Sequence, residues 1–127
     1  MVQNPKIPAN NQTVMPYLIL RNAEGFLKFT QDVFSATLLE KHLQEDGTIM
    51  HAEVMIGDST IMFAQSNEKF GESPAGLFIY VNDTDETYNK ALENGATSVQ
   101  EITDQSYGRS GGIKDTNGNT WWITSIK

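Results

Sequence analysis

The sequence predicts an α+β fold: two βαβββ modules forming a cupped eight-stranded mixed β-sheet with helices on the outer face. Three observations predict it. Each half carries one stretch of helical period, each then runs into three short strand-like segments, and each closes its last two strands with a turn dipeptide. The two halves echo one another at an offset of about 60 residues: Ala36-Thr37 returns as Ala96-Thr97, and Thr60-Ile61-Met62-Phe63 as Thr120-Trp121-Trp122-Ile123.

The elements follow in order. Residues 13–20 (TVMPYLIL) form an apolar run rich in strand formers. Asn22 offers an N-cap, and Phe26, Phe29, Val33 and Phe34 recur at helical spacing, so a helix is expected over 23–35. Strands are expected at 36–43, 48–56 and 60–65, the last two joined by Gly57-Asp58. Residues 66–74 (SNEKFGESP) read as a linker between modules 13–65 and 75–126 of a single domain, 1–127. The second module repeats the plan. It has a strand over 75–82, then a helix over 84–94 capped by Asp83 or Thr84 and ended by Gly95. Three strands follow at 97–102, 107–115 and 119–126. Asn117-Gly118 between the last two is a strong two-residue hairpin signal.

Composition bounds the function. The chain has 127 residues, a net charge of −7 and no cysteine. An acidic surface with scattered Lys and Arg repels phosphate backbones, so nucleic acid is not an expected partner. The absence of cysteine excludes disulfides, thiol catalysis and cysteine-ligated zinc. No apolar run reaches the roughly 20 residues that span a bilayer. The expectation is a cytoplasmic protein with no membrane partner and a flexible, polar N-terminal arm containing Pro5 and Pro8.

Hairpin register then assigns faces. With Gly57-Asp58 as the turn, Met55 opposes Thr60, Glu53 opposes Met62 and His51 opposes Ala64 on one face. Ala52, Val54, Ile61 and Phe63 share the other face, toward the helix. With Asn117-Gly118 as a two-residue turn, Asp115 opposes Thr120 and Ile113 opposes Trp122, and Arg109 lies further along the same face. The face away from the helices therefore collects Tyr17, His51, Glu53, Met55, Met62, Phe78, Arg109 and Trp122, together with Met15 and Ile113. Aromatic and thioether walls with a few convergent polar groups make up the usual small-ligand site. The competing reading is a second apolar core between the two sheets.

Three stretches carry a family resemblance. MHAEVMIGDSTIMFAQ (50–65), YGRSGGIKDTNGNTWWI (107–123) and AEGFLKFTQDVFSA (23–36) resemble the glyoxalase, bleomycin-resistance and extradiol-dioxygenase proteins of the vicinal-oxygen-chelate superfamily, most closely its PhnB-like branch. The chain departs from that branch at Asp115-Thr116-Asn117-Gly118, where the branch has Asp-Pro-Phe-Gly. Metal-using members place a His or Glu on the first and last strand of each module. Carried over, those positions fall at Met15, Met62, Gly76 and Trp122, none of which supplies an oxygen or nitrogen donor. The resemblance thus implies a metal-independent small-molecule binder with no cofactor, commonly a homodimer. Tyr17, Phe78 and Trp122 would stack on a flat ligand, Met55 and Met62 would line it, and Arg109 would clamp a negative group. The alternative is an isomerase or lyase in which His51 and Glu53 act as general base and orienter, or hold a divalent metal in a displaced site. His42 reads as surface.

Overall fold

The computed structural model describes residues 4–126; the first three residues of the expected arm and the last residue lie outside the described residues. The elements are β1 (Tyr17–Leu20), α1 (Ala23–Phe34), β2 (Thr37–Leu43), β3 (Ile49–Ile56), β4 (Ser59–Gln65), β5 (Gly76–Tyr80), α2 (Thr84–Glu93), β6 (Thr97–Gln105), β7 (Gly108–Lys114) and β8 (Thr120–Ser125). The eight strands divide into two four-stranded mixed sheets, ordered β1-β4-β3-β2 and β5-β8-β7-β6. Strand β1 starts at Tyr17 and not at Thr13. Pro16 has no N–H for a ladder, and it joins the sheet only through its carbonyl, which accepts from Met62 N.

The caps are those the sequence offers. Asn22 Oδ1 accepts from Gly25 N, and Asp83 accepts from Glu86 N, each satisfying a helix donor that has no carbonyl partner. Ser35 closes α1 at φ 56°, and Gly95 follows α2 at φ 99°. The helix-side residues of both modules form one core. Phe26, Val54, Phe63, Ile113, Trp121 and Ile123 are all buried in it. Trp121 joins the modules, because its ring lies 6.3 Å from that of Phe26 and 4.5 Å from that of Phe34, both on α1.

The two hairpins differ, and the difference sets the site. In the first, Met55 pairs with Thr60 and Glu53 with Met62, the register that a two-residue Gly57-Asp58 turn dictates. In the second, Ile113 pairs with Trp121, Gly112 with Trp122 and Lys114 with Thr120. That is one residue away from the expected pairing. The loop runs through three residues, closed by Asp115 N on Asn119 O. Asp115 is buried and accepts from Asn117 N, Asn119 N, Asn119 Nδ2 and Trp121 Nε1, so the carboxylate organises the turn in place of the Asn-Gly pair. A one-residue slip turns a whole strand over. Ile113 and Arg109 consequently face α2, and Ser110 and Gly112 take the open face.

The same turn ties the modules together. Asn117 accepts from Asn22 N and donates to Asn22 O, and Asn119 accepts from Ala75 N. Gly118 sits there at φ 87°, beside Arg21 and Pro74.

Candidate functional site

The open face of the first sheet holds the polar cluster. Register places Tyr17, Met62 and Glu53 in one row, because Tyr17 pairs with Met62 and Met62 with Glu53. Strand β2 carries a bulge between Leu38 and Glu40 that puts Glu40 opposite Glu53. Without the bulge Leu39 would take that position, and Glu40 would face the helix. His51 Nε2 is 3.0 Å from Glu53 Oε2 and 3.5 Å from Glu40 Oε1, and its Nδ1 is 3.3 Å from Tyr17 Oη. Glu53 is 7% exposed, and Asn11 Nδ2 donates to its other oxygen at 3.0 Å. Burial raises the affinity of the Glu53 carboxyl for a proton. Hydrogen bonds from Asn11 and His51 outweigh burial and hold its pKa below the ordinary value.

The N-terminal arm is part of this face from Asn10 onward. Gln12 donates to Thr60 O and accepts from Thr60 N, while Thr60 Oγ1 donates to Asn10 O. The expected flexible arm is, over these residues, hydrogen-bonded to the β3–β4 hairpin. His42 is exposed, as expected, at the edge of this cluster. Its ring stacks 6.4 Å from that of His51, and its Nε2 is 3.6 Å from Glu40 Oε1.

The open face of the second sheet is aromatic. Phe78 pairs with Trp122, and Trp122 lies over Gly112, where an added Cβ would stand 2.6 Å from the indole. Phe78 has Tyr80 at 5.2 Å and Tyr107 at 6.2 Å between ring centroids, with exposures of 50%, 67% and 56% respectively. Phe78 and Tyr80 also border a cleft of about 540 Å³ between the modules, walled by Met15, Ile61, Ile79 and Trp121.

Of the expected site residues, Tyr17, His51, Glu53, Met55 and Met62 therefore share one face, and Phe78 and Trp122 share the other sheet's. Arg109 does not join them. It pairs with Ser125 on the helix side, and its guanidinium grips Asp85 through two bonds of 2.6 and 3.0 Å and Asp104 at 3.1 Å. The hydrogen bond from Arg109 holds the Asp85 carboxyl below the usual carboxylate range. A depressed folded-state pKa gives stability that is present above the unfolded value and lost as pH falls through the folded one. Asp85→Asn is therefore expected to lower Tm slightly at neutral pH, where this exposed pair makes its small contribution, and to leave Tm unchanged well below about pH 4, so that the acid limb is shallower by that amount. Thermal melts across that range check it.

Residues 12–123 match the sequence profile of the glyoxalase/bleomycin resistance protein/dioxygenase superfamily. The chain belongs to this superfamily. The Mycobacterium bovis protein Mb0911c is 28% identical over 118 residues, covering 84% of this chain and 78% of that one. Among solved structures, TioX from Micromonospora sp. ML1 is 24% identical with a TM-score of 0.71, covering 90% of this chain and 95% of its own. TnmS3 from Streptomyces sp. CB03234, described as an antibiotic binding protein, is 16% identical with a TM-score of 0.70, covering 89% and 93%.

Metal-using superfamily members ligate from the first and last strand of each module. Strand pairing here sets Tyr17 against Met62 and Phe78 against Trp122, and Met15 and Gly76 precede Tyr17 and Phe78 by two residues. Thioether, phenyl and indole groups do not suit a hard or borderline divalent ion. The one oxygen, Tyr17 Oη, is engaged with His51. The superfamily's metal does not fit these positions.

Proposed function

We propose that this superfamily member binds flat, neutral or cationic small molecules on its open sheet faces, without a metal at the superfamily positions, and that it belongs to the PhnB-like branch. The observation that carries the reading is the half-exposed trio of Phe78, Tyr80 and Tyr107, of which Phe78 pairs with Trp122 and Phe78 and Tyr80 border the inter-module cleft. Solvated aromatic faces of this kind gain by stacking on a planar ligand. Arg109 is already neutralised by two carboxylates, and the open face of the first sheet carries Glu40 and Glu53. The expected anionic ligand group therefore loses its anchor, and the charge preference reverses. The antibiotic-binding description of TnmS3 agrees with this reading.

The active form in this proposal is a cytoplasmic homodimer. The shared core lies on the helix side of both sheets, so Tyr17 and Phe78 stay about half exposed in the single chain. A second copy that lays its first sheet over this chain's second sheet would cover both. No helix among the described residues is long and apolar enough to cross a membrane.

Binding is tested by calorimetric titration of EDTA-treated protein with bleomycin, doxorubicin and tetracycline, alongside sedimentation velocity. At least one of the three is expected to bind and raise Tm, and the protein is expected to sediment as a dimer. Absence of binding by all three overturns the binder reading, and a monomer overturns the assembly.

A second reading rests on the 3.0 Å contact between His51 and Glu53. A carboxylate that orients an imidazole, with Tyr17 on the far ring nitrogen, is a general-base arrangement suited to proton abstraction in an isomerase or lyase.

A further inference from the structure

We propose that Glu40, His51 and Glu53 form a divalent transition-metal site on strands β2 and β3, away from the positions at which the superfamily ligates its metal. The site shares Glu40 and Glu53 with the charge preference of the binder reading, whose stacking aromatics lie on the other sheet. One ligating atom from each of these three residues lies within 4.8 Å of the others. The set is mixed, one imidazole nitrogen and two carboxylate oxygens, which suits Zn²⁺, Co²⁺ or Ni²⁺ better than Ca²⁺ or Mg²⁺.

The surroundings are arranged as metal ligands usually require. Asn11 Nδ2 holds Glu53 Oε1, and Oε2 is left facing His51 Nε2. Tyr17 Oη stands 3.3 Å from His51 Nδ1, where it accepts that nitrogen's proton once Nε2 is given to an ion. Three protein donors leave a coordination position for water or a ligand.

Comparison of the modules separates this donor set from the needs of the fold. The second module has the same bulge, between Ser98 and Gln100, and sets Gln100 opposite Gly112. The residue matching His51, two before Gly112, is Ser110. The sheet is therefore built equally well without any ionisable group at these three positions. In the first module, by contrast, two carboxylates stand directly opposite each other, a pairing that destabilises a sheet unless a cation lies between them.

The test uses full-length protein stripped with chelator and dialysed, then titrated with Zn²⁺ by calorimetry and with Co²⁺ by visible absorption. One equivalent is expected to bind, to raise Tm by several degrees at saturation, and to give a cobalt d–d spectrum. His51→Ala is expected to weaken binding at least 100-fold and abolish that spectrum. Glu40→Gln, on a half-exposed side chain that leaves the fold intact, is expected to weaken it at least 10-fold, and Asn11→Ala about 10-fold. No Tm shift and no spectrum with millimolar Zn²⁺, Co²⁺ or Ni²⁺ overturns the site. Undiminished binding in Glu40→Gln also overturns it, by moving the ion elsewhere. Ligand titrations in EDTA report on the binder reading alone, so the two proposals fail separately.

Discussion

Asp115→Ala is expected to cost about 3–5 kcal/mol of folding stability and to lower Tm by roughly 10–20 °C. The carboxylate is 5% exposed and accepts from two backbone and two side-chain N–H groups at 2.9–3.0 Å. An alanine leaves those donors buried with no acceptor, and each such group costs about 1–3 kcal/mol. The effect reaches function, because this carboxylate enforces the three-residue loop. Released from it, Asn117-Gly118 is free to form the two-residue turn its sequence prefers. That turn would slip β7 by one residue against β8 and present Ile113 and Arg109 on the open face. Thermal unfolding followed by circular dichroism measures the stability loss. A change in Tm within about 2 °C would show that the carboxylate does not hold the turn.

Phe78→Ala and Trp122→Ala are each expected to weaken a bound planar ligand about 30-fold, close to 2 kcal/mol, through lost stacking and lost apolar contact. The two differ in their effect on the free protein. Phe78 is half exposed, so its truncation leaves Tm nearly unchanged. Trp122 covers the backbone of Gly112, and its truncation also lowers Tm. Calorimetric titration beside a melt resolves both effects. Unaltered affinity in the Phe78 variant would remove the second sheet from the binding site.

The β3–β4 hairpin of the first module could be read from sequence to the residue. Gly57-Asp58 is a turn with no competitor nearby, so the pairings of Glu53 with Met62 and Met55 with Thr60 follow from counting. The second module defeated the same counting because a buried acid reorganised its turn. A carboxylate that captures an indole N–H six residues away is a tertiary effect that overrides local turn preference. Counting from Asn117-Gly118 puts Arg109 on the open face, and the one-residue slip puts it on the helix side. Glu40 could not be assigned, since a single-residue bulge decides its side and nothing in TLLEKHL marks it. Asn11 and Gln12 reach partners 42 and 48 residues away, contacts that a polar arm with two prolines does not announce.

This superfamily member is proposed to carry an aromatic ligand face where its metal-using relatives hold an ion. A crystal structure of the protein grown in EDTA with saturating bleomycin, doxorubicin or tetracycline tests it most directly. The expected result is a planar ring system against Phe78 and Trp122, with no ion bonded to Tyr17, Met62, Phe78 or Trp122. A ligand seated against Arg109 on the helix side, or an open face left empty by all three compounds, would contradict it.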